Sequence, residues 1–248
     1  MTSLPDGTST PPSPSSSRKV AIITGGSQGI GAGLVSGFRR QGYAVVATSR
    51  SIGESDGEDY LTVRGDIAED RTARDVVEQA LNRFARIDCL VNDAGVYIGK
   101  PFTDYTLDDY VKITSVNLAG FFHLTQRVIG QMVSQGSGHV VNVTTSLAER
   151  ANSQIPSALP ALTKGGLAAV TRSLAIEYAS RGVRVNAVSL GVIRTRDDAA
   201  SYAGMAALHP LGRLGEIGDV VDGILYLERA TFVTGETLHI DGGQTAGS

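Results

Sequence analysis

Short runs of β-branched and aliphatic residues alternate with longer segments of helical period along most of the chain. Seven strand-like runs occupy residues 20–24, 44–49, 61–64, 89–92, 139–144, 184–189 and 236–240, and segments of helical period occupy 31–41, 71–84, 107–132, 160–180 and 217–228. Strands that alternate with helices favour a parallel sheet covered on both faces. The pattern predicts an α/β fold with a single doubly wound domain of the Rossmann type and a parallel sheet of about seven strands.

Residues 1–17 differ from the rest of the chain because they are almost all Pro, Ser, Thr and Gly. A segment of this composition has too few apolar side chains to build a core, and it lacks the apolar stretch of a signal peptide or a membrane span. We therefore expect a disordered tail at 1–17 and one domain over 18–248.

Charge and cysteine content restrict the class of function. The chain has 22 Lys and Arg against 25 Asp and Glu, a formal net charge of −3, and no cluster of basic residues, so neither nucleic acid nor a membrane is an expected partner. The single cysteine, Cys89, lies in an apolar run, which predicts a buried, inert thiol in a cytoplasmic protein. The four histidines have no metal-ligand spacing, so no metal site is predicted.

A glycine-rich turn follows the first predicted strand and leads into the first predicted helix. It comprises Thr24-Gly25-Gly26-Ser27-Gln28-Gly29-Ile30-Gly31. Gly25 permits a tight turn, Gly29 lets the backbone approach a pyrophosphate, and Gly31 allows close packing of the helix against the strand. Because a helix N-terminus offers free N–H groups and partial positive charge, the turn predicts a dinucleotide site.

The end of the second predicted strand bears on which dinucleotide binds. An NAD(H) enzyme has a carboxylate here for the ribose 2′-hydroxyl, whereas this chain has Thr48-Ser49-Arg50. A guanidinium binds phosphate oxygens through two parallel hydrogen bonds, and a carboxylate would repel them. Arg50 therefore favours NADP(H), with NAD(H) the less favoured cofactor.

Several motifs in order along the chain resemble the short-chain dehydrogenase/reductase family. The glycine-rich turn resembles the T-G-x-x-x-G-x-G of that family, and Asn92-Asp93-Ala94-Gly95 resembles its N-N-A-G. Further matches are Asp66, Asn117, Lys164, Asn186, Val233-Thr234-Gly235 and Asp241-Gly242-Gly243. The resemblance covers nearly everything from Arg18 onward, and it implies an oxidoreductase acting on a carbonyl, a hydroxyl or an activated double bond of a small molecule.

The resemblance also implies which residues hold the cofactor. Asp66 and Ile67 would flank the adenine, and Thr195, in a substrate lid near 192–216, would reach the nicotinamide amide. The full expected set is Thr24, Gly25, Ser27, Gln28, Gly29, Ile30, Gly31, Ser49, Arg50, Asp66, Ile67, Asn92, Ala94, Gly95, Lys164, Gly191, Ile193 and Thr195. In the family, the long helices corresponding to 107–132 and 160–180 pair between subunits, so a homodimer or homotetramer is expected.

The catalytic segment departs from the family pattern. Family enzymes use a Ser to hold the substrate oxygen, a Tyr to pass the proton, a Lys four residues later and an Asn. Lys164 and Asn117 match the last two, and Thr145, with Ser146 as second choice, stands at the Ser position. Pro160 occupies the position four residues before Lys164, and proline has no ionisable group.

A redox reaction at this site requires a substitute proton donor, because a positioned general acid contributes about 10²- to 10⁴-fold in rate. Tyr97, two residues past Gly95, is the leading candidate; the others are Tyr202, Glu149, Ser153 and a water held by Asn117 and Lys164. Two alternatives stay open: a non-redox enzyme (cyclase, dehydratase or isomerase) on the same scaffold, and a catalytically silent nucleotide-binding protein.

Overall fold

The computed structural model describes residues 18–196 and 202–247. Its strands are β1 (Val20–Thr24), β2 (Ala44–Ser49), β3 (Tyr60–Arg64), β4 (Cys89–Asn92), β5 (Gly138–Thr145), β6 (Val183–Leu190), β7 (Ile193–Arg194), β8 (Gly215–Glu216) and β9 (Thr237–Ile240). Its α-helices are α1 (Gly29–Arg40), α2 (Asp70–Phe84), α3 (Leu107–Thr114), α4 (Gly120–Gln135), α5 (Ala158–Tyr178) and α6 (Ile217–Arg229). The predicted tail and residues 197–201 of the predicted lid lie outside the described residues.

Seven strands form one sheet in the order β3-β2-β1-β4-β5-β6-β9, and every adjacent pair is parallel. The order reverses between β1 and β4, and in open parallel sheets ligands bind at such a reversal, outside the carboxyl ends of the strands. The predicted fold class and the parallel sheet are confirmed.

Helices cover both faces of the sheet, which explains why its central strands are apolar without alternation. On one face, Leu34 and Phe38 of α1 pack with Ile224 of α6 and the strands beneath. On the other face, α2, α4 and α5 contribute side chains that include Val76 and Leu124. Among the described residues, no helix is long and apolar enough to cross a membrane.

The segment predicted as one helix over 107–132 is divided in the structure. A π-helical turn, Ser115–Ala119, separates α3 from α4. Asn117 lies in this wider turn, and its buried side chain is hydrogen-bonded to the main chain of Val96. Periodicity missed the turn because the apolar positions continue through it. The two-residue strands β7 and β8, which pair with each other, were also missed, since they are too short to carry a period.

Candidate functional site

The glycine-rich turn is anchored to the end of β2. The N–H groups of Gly25 and Gly26 donate to the carbonyl oxygen of Thr48 at 2.8 and 3.2 Å. Gly25 has a φ of +76°, a conformation that favours glycine. A Cβ at Gly31 would overlap the carbonyl oxygen of Gly25, so this glycine allows the helix to pack against the turn itself, rather than against the strand as expected.

The residue that precedes α1 does not cap it, and the Asp93 carboxyl group accepts from the N–H of Gly31 in the first turn. Gln28 precedes the helix in an extended conformation, and its side chain makes no capping hydrogen bond. The N–H groups of a first turn lack intrahelical partners, so they present donors and partial positive charge to the space beside the turn. A helix end that its own N-cap residue leaves open, behind a tight glycine turn, fits the pyrophosphate of a dinucleotide.

A cleft of about 370 Å³ runs along the carboxyl ends of β1, β2, β3 and β4. It brings together twelve of the residues expected to hold the cofactor: Gly25, Ser27, Gln28, Gly29, Ile30, Ser49, Arg50, Asp66, Ile67, Ala94, Gly95 and Thr195. It is also lined by residues that were not predicted: Thr48, Ser51, Gly65, Asp93, Val96, Val116 and Arg196. Thr195 reaches across the cleft, since its Cβ lies 3.5 Å from where a Cβ on Gly29 would be.

Polar groups surround the end of β2. The Arg50 side chain is 70% exposed, and its Nη1 lies 4.0 Å from Oδ2 of Asp66. Arg64 donates from Nε to the carbonyl oxygen of Arg50 at 2.9 Å, which fixes the backbone that carries the guanidinium. The hydroxyls of Ser27 and Ser51 lie 3.4 Å apart in the same cleft. This rim has room and donors for a phosphate.

Two of the expected cofactor residues are instead placed beneath the cleft. The Thr24 hydroxyl accepts from the N–H groups of Asp93 and Ala94 at 3.0 and 2.9 Å and so holds the end of β4 against β1. Asn92 is buried and donates to Thr125 and Asn142 at 3.0 and 2.9 Å. Both side chains support the cleft from inside the core.

Gly191 and Ile193 line a second cavity of about 430 Å³ near the end of β6. A Cβ at Gly191 would lie 2.7 Å from Nε2 of His209, so a glycine is needed there for packing. The structure does not bring these two residues to the lining of the first cleft.

Lys164, Asn117 and Gly95 meet at one end of the cleft. Nζ of Lys164 donates to the carbonyl oxygen of Val143 at 2.7 Å. A Cβ on Gly95 would lie 3.1 Å from this Nζ and 3.3 Å from Oδ1 of Asn117. Burial lowers the pKa of Lys164, and the carboxylate of Asp93 partly opposes that shift. The ammonium is therefore a better proton donor near neutrality than an ordinary lysine.

Pro160 is buried in the first turn of α5, one turn before Lys164. The N–H that proline lacks would have no intrahelical partner at this position, so the helix is not interrupted. The Thr163 hydroxyl donates to the carbonyl oxygens of Leu159 at 3.1 Å and Pro160 at 3.3 Å. It accepts from Nδ2 of Asn117 at 3.1 Å. The proline is thus part of the frame that fixes Asn117.

Thr145 and Ser146 follow one another at the end of β5 but differ in exposure. Ser146 is 1% exposed and donates to Oε1 of Gln244 at 2.9 Å. Thr145 is partly exposed, and its hydroxyl accepts from the N–H of Leu147 at 3.4 Å, a long bond that leaves its proton free. Thr145 is the better placed of the two to bind a substrate oxygen.

The four side chains predicted as substitute proton donors differ in exposure and in hydrogen bonding. Tyr97 is 54% exposed, and burial of the rest of its ring raises the pKa of its hydroxyl, with Tyr105 adding to the shift. Glu149 lies 2.7 Å from Nε2 of His239, and Ser153 is exposed. The Tyr202 oxygen accepts from the N–H of Thr195 at 3.0 Å. Burial acts to raise the pKa of Tyr202, but the hydrogen bonds from Thr195 outweigh it and lower that pKa.

Asp93 lines the cleft and was missed as a site residue. The signal was present, because the family has Asn where this chain has the second residue of Asn92-Asp93-Ala94-Gly95. Burial raises the pKa of the Asp93 carboxyl to about 7, although Lys164 and the N–H of Gly31 act in the opposite direction.

Known proteins match nearly the whole chain. The family model described as enoyl-(acyl carrier protein) reductase matches residues 25–245. A protein of Streptomyces violaceoruber, by its name ketoacyl reductase 2 of the granaticin polyketide synthase, is 37% identical over 242 residues, covering 90% of this chain and 95% of the relative.

Solved structures have the same fold. The structure of ElxO with NADP bound has a TM-score of 0.86 at 28% identity and covers 93% of this chain and 100% of that one. The 3-ketoacyl-(acyl-carrier-protein) reductase from Brucella melitensis, complexed with NADH, has a TM-score of 0.85 at 29% identity and covers 92% of this chain and 98% of that one. Because one neighbour holds NADP and the other NADH, the fold alone does not select the cofactor.

Proposed function

The chain belongs to the short-chain dehydrogenase/reductase family, and from that membership we propose that it is an NADP(H)-dependent oxidoreductase that reduces a carbonyl group. A 3-oxoacyl thioester is the first substrate class to test, because one relative and one structural neighbour are named ketoacyl reductases. The relatives support a small-molecule substrate. When bound, the reduced nicotinamide supplies the hydride.

The observation that carries the choice of NADP(H) is the end of β2. No carboxylate stands at Thr48, Ser49 or Arg50, and the exposed Arg50 guanidinium lines the cleft beside the hydroxyls of Ser27 and Ser51. A guanidinium and two hydroxyls supply the donors that a 2′-phosphate requires. The glycine turn and the N-terminus of α1 would hold the pyrophosphate.

Within this proposal, Thr145 holds the substrate oxygen and Lys164 delivers the proton, directly or through a water. The Lys164 ammonium has three protons, of which one is donated to Val143. Its lowered pKa suits proton donation, whereas the raised pKa of Tyr97 makes that phenol a weaker acid than usual. Tyr97 is consequently the second candidate, and Asn117 acts by positioning α5 through Thr163.

Contacts of the residues next to β7 support the predicted lid. Thr195 and Arg196 line the cleft, and Tyr202 is hydrogen-bonded to Thr195. We propose that this part of 192–216 covers the nicotinamide end, with the Tyr202 hydroxyl fixing Thr195 above Gly29.

Pro160 favours a second candidate function. Without the ionisable side chain that the family has at this position, the scaffold would suit a non-redox step or nucleotide binding without catalysis. Tight NADPH binding without oxidation of the nicotinamide by any ketone, enone or thioester substrate would select this alternative.

Replacement of Arg50 tests the cofactor proposal. Arg50→Asp should lower NADPH affinity by roughly tenfold to a hundredfold, because a hydrogen bond to a charged group contributes about 1.5–3 kcal/mol. NADH affinity should be unchanged or higher, since an aspartate can accept from the 2′-hydroxyl. Fluorescence titration with both nucleotides gives the ratio, and turnover of a 3-oxoacyl thioester is followed by nicotinamide absorbance.

Arg71→Asp is the matched control, because Arg71 is exposed on α2 and does not line the cleft. An NADPH-to-NADH affinity ratio that is the same in wild type and Arg50→Asp would refute the NADP(H) assignment. Binding of neither nucleotide would refute the proposed function as a whole.

A further inference from the structure

The Asp93 side chain lies against the glycine turn and lines the cleft. Its Oδ2 lies 3.2 Å from where a Cβ on Gly25 would be and 3.0 Å from the corresponding position on Gly31. The N–H of Gly31, in the first turn of α1, donates to this carboxyl group. A carboxyl group therefore stands at the helix end that fits a pyrophosphate.

Among the described residues, Asp93 forms no direct ion pair, although a lysine faces it. Lys164 faces it from α5 and stabilises its ionised form, but the Lys164 ammonium is hydrogen-bonded to Val143. Arg50 after β2, Asp66 after β3 and Arg196 after β7 line the same cleft, and Nη1 of Arg50 lies 4.0 Å from Oδ2 of Asp66. The first turn of α1 carries no charged side chain, so it contributes only main-chain N–H groups.

A bound pyrophosphate would add negative charge beside this carboxyl group. A like charge disfavours ionisation, so cofactor binding raises the pKa of Asp93 above the value of about 7 that burial already gives it. By linkage, the complex takes up protons, and affinity falls as pH rises through the pKa of the free protein. This pH dependence of affinity begins in the neutral range, where the carboxyl group of the free protein titrates.

We propose that Asp93 couples dinucleotide binding to the uptake of one proton, taken from solvent, so that the cleft holds the pyrophosphate with Asp93 as the neutral acid. The proposal rests on the proposed function only in that the cleft binds a nicotinamide dinucleotide. A neutral carboxylic acid can donate its O–H to a phosphate oxygen, as an amide does with its N–H. The asparagine of the family thus resembles the protonated form of Asp93.

Calorimetric titration with NADP⁺ tests this coupling without reference to turnover. Wild type and Asp93→Asn are titrated from about pH 6 to about pH 8.5, each in two buffers of different ionisation enthalpy, so that the heat reports the protons exchanged. Wild type should take up about half a proton more than the variant near pH 7, where the free carboxyl is already half protonated, and close to one proton more about one pH unit higher. In that higher range its affinity should fall by up to about tenfold per pH unit relative to the variant. Asp93→Asn should bind more tightly at the alkaline end.

The comparison of wild type with the variant also cancels the titration of the cofactor's own phosphate. The second pKa of a phosphate monoester is about 6, and the 2′-phosphate is common to both complexes, so its contribution cancels in the difference. The contribution of Lys164 does not cancel, because Asp93 raises the pKa of that lysine, so the same titrations with Lys164→Met measure how much of the proton uptake belongs to it. Asp75→Asn is the matched control, since it removes a carboxylate from α2, outside the cleft, and should leave proton uptake unchanged.

Equal proton uptake by wild type and Asp93→Asn would overturn the proposal while leaving the cofactor assignment standing. Absence of NADP⁺ and NAD⁺ binding in every protein at every pH would instead refute the proposed function. If Asp93→Asn does not fold, Asp93→Ser takes its place, and wild type showing no proton uptake in any buffer pair would be sufficient to reject the coupling.

Discussion

Thr145 and Ser146 are neighbours in the chain, yet their hydroxyls face different surroundings. Ser146 is buried against Gln244 near the C-terminus, whereas Thr145 remains partly exposed at the end of β5 near the carbonyl group that Lys164 binds. Spacing alone left both as candidates, because adjacent residues of a strand end differ only in the direction of the side chain. The structure supports Thr145 for the substrate and Ser146 for packing.

Alanine substitution should separate these two roles. Thr145→Ala should lower kcat/KM for a 3-oxoacyl thioester by about 10²- to 10³-fold, as loss of a donor to a developing oxyanion does, with little change in thermal stability. Ser146→Ala should leave kcat/KM nearly unchanged and reduce stability by about 1 kcal/mol, because it leaves Gln244 without its buried partner. Steady-state kinetics give kcat/KM of both variants, and thermal melts give their stability. Equal kinetic losses would mean that Ser146 also serves the substrate.

Buried charges tie the end of α6 to the amino ends of the strands, opposite the cleft. Glu228 accepts from the Tyr43 hydroxyl at 2.7 Å and from Lys19 at 3.3 Å, and its Oε2 lies 2.8 Å from Nδ1 of His139. Arg184 donates to four main-chain carbonyl oxygens at the end of α6 and in the loop that follows: those of Leu227, Glu228, Ala230 and Val233. A cation at a helix C-terminus is favourable.

The protonation state of this network follows from its hydrogen bonds. Asn186 donates one amide hydrogen to Val233 and the other to Nε2 of His139, so the histidine carries its proton on Nδ1 and donates it to Glu228. Burial lowers the pKa of His139, in agreement with a neutral ring. Cys89 completes a cluster with His139 and Glu228 whose potential metal-ligand atoms lie within 4.8 Å of one another. Burial holds the pKa of its thiol well above the ordinary value.

Glu228→Gln should destabilise the fold in a pH-dependent way. Burial would raise the pKa of Glu228, but hydrogen bonds from His139 and Tyr43 and the charge of Lys19 hold it below its ordinary value. The ionised carboxylate thus stabilises the protein above the unfolded-state pKa of about 4.3, and this contribution disappears as pH falls through the folded pKa. The variant should lose about 2–4 kcal/mol at neutral pH, and its deficit should shrink in acid.

Urea unfolding of both proteins from about pH 7 to about pH 3 measures that deficit. Glu78→Gln, on the exposed surface of α2, is the control and should change stability by less than about 0.5 kcal/mol. A Glu228→Gln deficit independent of pH would mean that packing, not charge, accounts for the loss.

At the scale of the whole molecule, large apolar side chains are exposed on α4 and α5. Phe122 of α4 is 55% exposed, and Leu162 and Ile176 of α5 are 59% and 82% exposed. The sequence prediction of a homodimer or homotetramer named these same helices. We propose that they form the subunit interface, since an unshielded apolar face of this kind favours association.

Ile176→Glu tests this interface, because a carboxylate placed in a buried subunit contact is unfavourable. Wild type should have the mass of a dimer or tetramer by size-exclusion chromatography with light scattering, and the variant should dissociate to a smaller species at micromolar concentration. Phe232→Glu, which alters a fully exposed phenylalanine in the loop before β9, is the comparison. Dissociation by Phe232→Glu alone would place the partner on the other side of the molecule.

The sequence by itself determined the fold class and most of the cleft, because both depend on local properties. Strand and helix periods, the glycine turn and Arg50 act through the backbone and through neighbours a few positions away, so they can be recognised in one dimension. Tertiary structure decided which of those residues share a surface. Asn92 lies in the core while Asp93 lines the cleft. The Ser146 hydroxyl is hydrogen-bonded to Gln244, 98 positions away, and the π turn sets Asn117 against Val96. These outcomes depend on contacts between segments distant in the chain, and only packing brings such segments together.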